Sequence, residues 1–243
     1  MVNVFYSFPQ VLWLTLGVVF LVTFLVFLEK SLASRIRKWG DVYPALLNFL
    51  VILSKTVIPL VLLWRISGLS PSSLNWIKGG FFPSVWKGVV LASFMMAFIF
   101  IYQKYSHLLF GEPYTSTGGR FLNREISGAA IGISISAALL NAFGEEIIFR
   151  GMLFPSLSFY LGIGIALIIQ SLIFTVYHFF PLQNSVLLFI MGILFGLGYF
   201  WSGSLLTPIL AHLIENGVSG VFLLIRLPRE KERRHKEEEW CGK

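Results

Sequence analysis

The chain carries little charge for its length. Of its 243 residues, 13% are charged, while 56% are hydrophobic and 16% are aromatic. A soluble domain is roughly 25% charged. Surface-to-volume scaling also leaves a 27.5 kDa globule with too much surface to hide so many apolar side chains. The shortage of charge therefore excludes a soluble globular domain and predicts that lipid is the solvent for most of the chain.

Cysteine and aspartate are almost missing as well. Cys241 is the single cysteine, which excludes an intramolecular disulfide and a cysteine-based metal cage. Asp41 is the single aspartate, so a pair of intramembrane aspartates is impossible. The sequence also lacks His-Glu-x-x-His and Gly-x-Ser-x-Gly, which excludes the usual zinc-protease helix and the serine nucleophile elbow.

What the chain does contain is long apolar runs, and a membrane span needs about 20 such residues. Candidate spans cover residues 9–29, 43–66, 85–104, 126–158, 162–180, 185–201 and 204–225. The runs lack the alternation of a barrel, and open strands do not survive in hydrocarbon. We predict an all-α, multi-pass membrane protein with about seven transmembrane helices. Its membrane domain covers 1–225, with a catalytic core at about 126–225, and a charged tail follows at 226–243.

The net charge of +7 does not indicate a nucleic-acid partner, because the basic residues flank the spans. Seven of the 19 lie in the last 18 positions, and most others lie in short connectors. With seven spans, 14 basic residues fall on one side and at most 4 on the other. Cytoplasmic segments carry the excess of Lys and Arg. We therefore expect the C-terminal tail to be cytoplasmic and the N-terminus to lie on the outer side of the membrane.

Ionisable residues are rare between positions 126 and 225. Each charge at the bilayer centre costs at least ~2.5–3.5 kcal/mol on insertion scales, so such residues indicate a functional site. The six are Glu145, Glu146, Arg150, His178, His212 and Glu215.

Their spacing suggests one ion pair and one unpaired carboxylate. Glu146 and Arg150 stand at i,i+4, where they meet on one helix face. A single arginine neutralises a single glutamate, so Glu145 remains. Either Glu145 is protonated, or it faces water, an imidazole or a metal.

The turn predicted at residues 160–164 brings two of these residues level. Glu145 and His178 each lie about 16 residues, or roughly 24 Å of helix, from the middle of that turn. In an antiparallel hairpin they face each other. His212 lies only about nine residues from the Ser202-Gly203 turn and joins them only if the first hairpin tilts or protrudes. Pro155 favours such a distortion.

Two chemistries fit this set, and the spacing does not choose between them. In one, Glu145 acts with His178 as a general base on water, and His212 and Asn216 donate hydrogen bonds to a developing oxyanion. In the other, His178, His212 and Glu145 bind a divalent metal such as zinc, which keeps an open position for water.

Three motifs resemble those of the CAAX protease and bacteriocin-processing (CPBP) membrane endopeptidases. They are Glu-Glu-x-x-x-Arg at 145–150, Phe-x-x-x-His at 174–178 and His-x-x-x-Asn at 212–216. The match spans 141–216 and includes Phe149-Arg150-Gly151 and the glycines Gly192 and Gly196.

The resemblance implies a type II CAAX prenyl endopeptidase-like protease that cleaves near the C-terminus of a peptide or prenylated protein within the membrane. By the same resemblance, Glu145 and His178 activate water, Glu146 and Arg150 support them, and His212 and Asn216 stabilise the oxyanion. The alternatives are a non-proteolytic scaffold or bacteriocin-immunity relative that binds a peptide, and a transporter that uses the carboxylates as a proton relay.

Other polar or small residues in the spans receive structural interpretations. Lys55 is interpreted as a snorkelling or pore-facing lysine. Phe174 is expected to pack, and Gly192 and Gly196 to let two helices approach closely. Glu215 is expected to pair with a neighbour or to face water.

Overall fold

The computed structural model describes residues 8–66, 74–111, 127–178 and 180–219, and within these ranges the regular structure is helical. The elements are α1 (Phe8–Ile36), a 3-10 turn (Arg37–Trp39), α2 (Val42–Ile66), α3 (Phe81–Tyr105), α4 (His107–Phe110), α5 (Gly128–Glu146), a π-helical segment (Ile147–Leu153), α6 (Phe154–His178), α7 (Leu182–Ser202) and α8 over residues 206–219. The long helices follow the order of the predicted spans, and the all-α multi-pass fold is confirmed.

Within the described ranges, five helical stretches are long and apolar enough to cross a membrane, and the longest is Gly128–Tyr177. This stretch contains a break at Gly162, whose φ of 77° and ψ of 162° are not helical. Glycine reaches this left-handed φ without the steric penalty of a Cβ atom. Gly162 lies within the turn predicted at residues 160–164, so the hairpin between the two halves is confirmed.

The π-helical segment between α5 and α6 was not itself predicted, although Pro155 was expected to favour a distortion of this hairpin. Pro155 has no N–H to donate to the carbonyl of Gly151, so the regular i→i−4 ladder is interrupted there. A π-helix bonds i→i+5 and so advances less along its axis for each residue. The path from Glu146 to the Gly162 turn is therefore shorter than 16 α-helical residues, which reduces the length mismatch expected for His212.

Helix α7 packs closely on the second half of α6 because two glycines face it. A Cβ atom on Gly192 would lie 3.0 Å from the Ser171 side chain and 3.1 Å from the Ser171 Cα. A Cβ atom on Gly196 would lie 2.6 Å from Leu167 Cδ2. The expected close approach at Gly192 and Gly196 is confirmed, and it brings α7 against the half of α6 that carries the second motif.

Helices α2 and α5 form the other close pair. A Cβ atom on Gly144 would collide with the Thr56 hydroxyl, and Thr56 Oγ1 donates hydrogen bonds to the carbonyls of Ile52 and Leu140. The main core lies beside this pair, where buried side chains from the π-helical segment meet α1, α6 and α8. The predicted site therefore lies in the part of the bundle where several helices converge.

Some expectations concern residues that the structure does not describe. The charged tail at 226–243 and the end of the last predicted span lie outside the described residues, as does most of the connector at 104–125. The cytoplasmic location of the tail and the division into a domain and a tail stay predictions.

Candidate active site

Glu145 and Glu146 end α5 at the point where the π-helical segment begins. Their exposed fractions are 2% and 0%, and Arg150 is 0% exposed. Buried ionised groups need charged partners and hydrogen bonds. The contacts of each carboxylate therefore show how the site is held.

Two side chains donate hydrogen bonds to the same carboxylate oxygen of Glu146. Arg150 Nη1 donates to Glu146 Oε1 at 2.9 Å, as the i,i+4 spacing predicted. His212 Nδ1 donates to the same Oε1 at 2.8 Å from helix α8. Arg150 Nη2 donates to the Gly192 carbonyl at 3.0 Å, so the guanidinium connects α7 to this carboxylate.

Three phenylalanine rings surround the Arg150 guanidinium. Its central carbon lies 5.8 Å from the ring centre of Phe149, 4.8 Å from that of Phe174 and 5.0 Å from that of Phe195. Planar guanidinium groups stack well on aromatic faces. Phe174 therefore packs, as expected, and its partners include both Phe149 and the arginine.

Glu145 faces a different set of groups. Asn141 Nδ2 donates to Glu145 Oε1 at 2.7 Å, and His178 Nε2 lies 3.6 Å from the same oxygen. His212 Nε2 lies 3.9 Å from Glu145 Oε2, and Lys55 Nζ lies 3.9 Å from Oε1. Among the described residues, Glu145 Oε2 has no hydrogen-bond partner.

Both histidines present Nε2 to Glu145 because their Nδ1 atoms are occupied. His178 Nδ1 donates to the Phe174 carbonyl at 2.7 Å, and a carbonyl can only accept. His212 Nδ1 bonds Glu146, and the His212 ring stacks on Phe195 with ring centres 4.6 Å apart. The orientation of each imidazole is thus fixed by its second nitrogen, as it is in many catalytic and metal sites.

Asn216 lies one turn after His212 on α8, and its Nδ2 donates to the Ala138 carbonyl at 2.9 Å. An amide nitrogen has a second hydrogen to donate. This bond holds α8 against α5 near Asn141, which precedes the two glutamates on α5. Glu215 accepts a hydrogen bond from Ser219 at 3.1 Å, so it pairs with a neighbour as expected.

The donor set has the chemistry of a His-His-Glu metal site, since two Nε2 atoms and one carboxylate face one another. Their present separations are 3.6 Å and 3.9 Å. Among the residues that the structure describes, no group of three or more His, Cys, Asp or Glu side chains is arranged to hold a metal ion.

The structure therefore brings Glu145, Glu146, Arg150, His178 and His212 into one buried network. Asn216 joins it through the backbone of α5.

Lys55 was interpreted as snorkelling or pore-facing, and the snorkelling interpretation is wrong because the side chain lies inside the bundle. Lys55 is 6% exposed and its ammonium group lies beside Glu145, so it does not reach towards a membrane interface. The sequence did contain a signal for this contact, namely a lysine in the middle of one span and an unpaired glutamate in another. Asn141 was also missed, and its i,i+4 spacing to Glu145 indicates such a contact.

Comparisons with known proteins bear on the same region. Residues 127–218 match the family described as Type II CAAX prenyl endopeptidase Rce1-like. The chain is also 36% identical over 141 residues to a protein of Bacillus subtilis (strain 168) named "Uncharacterized protein YpbD". That similarity covers 55% of this chain and 66% of the relative, slightly less than two thirds of its length. No solved structure is significantly similar to the chain.

Proposed function

We propose that this chain, whose residues 127–218 match the family described as Type II CAAX prenyl endopeptidase Rce1-like, is an intramembrane endopeptidase that activates water with Glu145 and His178. Its substrate is a peptide or lipidated protein cut near the C-terminus, within the membrane. The observation that carries the proposal is the Glu145 carboxylate, which is buried and faced by Nε2 atoms of two oriented histidines.

The separation between Glu145 and His178 leaves both groups able to bind a water. His178 Nε2 lies 3.6 Å from Glu145 Oε1, which is longer than a direct hydrogen bond, so we place the reacting water beside the pair, within reach of both groups. Glu145 accepts a proton from this water as its oxygen attacks the scissile carbonyl carbon. The same proton then passes to the leaving amine as the C–N bond breaks, so that the products are a carboxylic acid and an amine, which ionise to a carboxylate and an ammonium group.

The negative charge that develops on the carbonyl oxygen needs donors placed in advance. His212 donates from Nε2 when both its nitrogens are protonated, and Glu146 stabilises that cation through Nδ1. Asn216 supplies the hydrogen that it does not use on Ala138. Arg150 supports the arrangement by fixing Glu146.

A divalent metal is the alternative way to activate the water. His178 Nε2, His212 Nε2 and the Glu145 carboxylate are the residues that would hold it, and the metal would supply a Lewis acid and a water of lowered pKa. Metal analysis of the purified protein, followed by activity after chelation and after zinc is restored, distinguishes the two versions. Activity that persists in a metal-free preparation supports the glutamate–histidine version.

The decisive experiment measures cleavage of defined substrates by the purified full-length chain in lipid. Peptides that end in a prenylated CAAX sequence are compared with the same peptides without the prenyl group, and mass spectrometry locates the cut. We expect cleavage near the C-terminus by the wild type and none by the variant Glu145→Gln. Cleavage of both peptide sets alike means that the prenyl group is not recognised.

A folded wild type that binds these peptides without cutting them supports the scaffold or immunity function instead. Thermal unfolding of both proteins establishes that the comparison is between folded chains.

A further inference from the structure

We propose that Lys55 is the counter-ion of Glu145 and positions its carboxylate for reaction. Lys55 belongs to α2, outside the residues 127–218 that match the family. The role in reaction rests on the proposed function, whereas the ion pair itself does not. Arg150 holds Glu146, and Lys55 holds Glu145, so each buried carboxylate has its own cation.

Burial is the first reason. Lys55 is 6% exposed, and lysine is almost never so deeply buried unless it is paired. Its Nζ lies 3.9 Å from Glu145 Oε1 and 4.8 Å from the centre of the Tyr177 ring. The ammonium group therefore lies between a carboxylate of α5 and an aromatic face of α6, and both contacts favour the charged form.

The second reason is that α2 is fixed at this level of the bundle. Thr56, the next residue, packs against Gly144 and bonds the Leu140 carbonyl. Gly144 directly precedes Glu145, and the absence of its Cβ atom admits the threonine. The contact that holds α2 on α5 is thus adjacent in sequence, on both helices, to the ion pair.

The third reason is that the contacts of Glu145 are divided unequally between its two carboxylate oxygens. Asn141, His178 and Lys55 all face Oε1. Oε2 has no hydrogen-bond partner among the described residues and faces His212. A carboxylate held by one oxygen presents the other, so Lys55 and Asn141 together fix the rotation of Glu145 about its side chain.

The remaining charged and titratable groups near Glu145 do not supply this counter-charge. Arg150 already serves Glu146, Tyr177 is not cationic, and Glu215 is acidic. His178 and His212 carry a charge only when they are protonated, whereas the lysine supplies a positive charge without that condition. The groups that act electrostatically on or with Glu145 are Lys55, Arg150, Tyr177, His178, His212 and Glu215.

A double-mutant cycle on thermal unfolding tests the pair without relying on activity. The full-length chain is compared with Lys55→Met, Glu145→Gln and the double variant. We expect Lys55→Met to lower the Tm, since it leaves a buried carboxylate uncompensated, and Glu145→Gln to recover most of that loss in the double variant. Additive shifts in Tm would overturn the proposed ion pair.

Kinetics with a cleaved peptide test the positioning role. Lys55→Met should lower kcat by roughly 100-fold with KM little changed, because misplacing a reacting group by about 1 Å costs that much. Lys55→Arg keeps the charge and should recover part of the rate. A raised KM with unchanged kcat would overturn the positioning role and place Lys55 on the substrate.

Lys87→Met is the matched control. Lys87 also lies over an aromatic ring, 5.1 Å from the centre of Trp201, but on α3 and not beside the glutamates. This variant should leave kcat unchanged. If the thermal cycle shows coupling while the wild type cleaves none of the peptides, the Lys55–Glu145 pair stands and the proposed protease function falls.

Discussion

The imidazole of His212 donates from Nδ1 to Oε1 of Glu146 at 2.8 Å, which joins α8 to the end of α5 across 66 residues of sequence. This bond turns the other nitrogen, Nε2, towards Glu145. Glu146 is thus an orienting residue as well as the partner of Arg150. The two adjacent glutamates have different roles because their side chains contact different neighbours.

Glu146→Gln should therefore destabilise the protein strongly. The change leaves the fully buried Arg150 without its anion and weakens the bond that orients His212. Removing one partner of a buried pair typically costs ~3–5 kcal/mol. Thermal unfolding in detergent or lipid measures the loss. A variant that unfolds at the wild-type temperature contradicts the pairing.

Glu145→Gln should lose turnover while it keeps its fold. An amide cannot take a proton from water, so we expect no measurable cleavage. The loss of stability should be smaller than for Glu146→Gln, because the Lys55 side chain is 8% exposed whereas that of Arg150 is fully buried. Turnover and Tm are measured on the same preparations. If Glu145→Gln still cleaves the peptide, while Glu146→Gln folds normally but does not cleave it, the roles of the two glutamates are exchanged.

Arg150→Lys should fail although the charge is kept. Nη1 donates to Glu146 and Nη2 donates to the Gly192 carbonyl, while three phenylalanine rings surround the guanidinium. A lysine is a compact cation without this planar fork. We expect a lower Tm and reduced turnover, with Lys104→Arg, at an exposed position, as the control. Wild-type behaviour of Arg150→Lys would show that charge alone suffices.

Gly192→Ala should separate α6 from α7. The new Cβ atom would lie 3.0–3.1 Å from Ser171, including its backbone, so the helices must move apart. Overpacking of this kind costs about 1–3 kcal/mol. Gly132→Ala is the matched control, since nothing lies within 4 Å of its added Cβ atom. That variant should be neutral or more stable, because alanine favours a helix by roughly 1 kcal/mol over glycine. Equal Tm values for the two variants would contradict the close packing.

Asp41→Asn should weaken the start of α5 in a pH-dependent way. The backbone N–H of Ser127 donates to the Asp41 carboxylate and lowers its pKa. A carboxylate whose pKa is lower in the folded state stabilises the fold above its unfolded pKa of about 3.9, and this is lost as the pH falls through the folded value. The wild type should therefore have a higher Tm than Asp41→Asn at pH 7, with the gap closing as the pH falls through the lowered pKa of Asp41. A gap that does not depend on pH would contradict this contact.

The helices and the first hairpin could be predicted because their causes are local. Long apolar runs lie in lipid, where the backbone must form its hydrogen bonds within the segment. These runs therefore fold as helices. Gly162 marks the turn because its positive φ suits glycine, and from that turn the equal distances of Glu145 and His178 follow. The Glu146–Arg150 pair follows from a spacing of four residues.

The sequence by itself thus determined the helical class, the hairpin, the Glu146–Arg150 pair and the set of residues rare enough in a membrane to matter. Only the tertiary structure decided what each of them faces. The π-helical segment, the opposed Nε2 atoms of His178 and His212, and the arrival of Lys55 from α2 depend on how helices distant in sequence lie against one another. Such contacts depend on packing and the burial of charge, and no spacing along one helix encodes them.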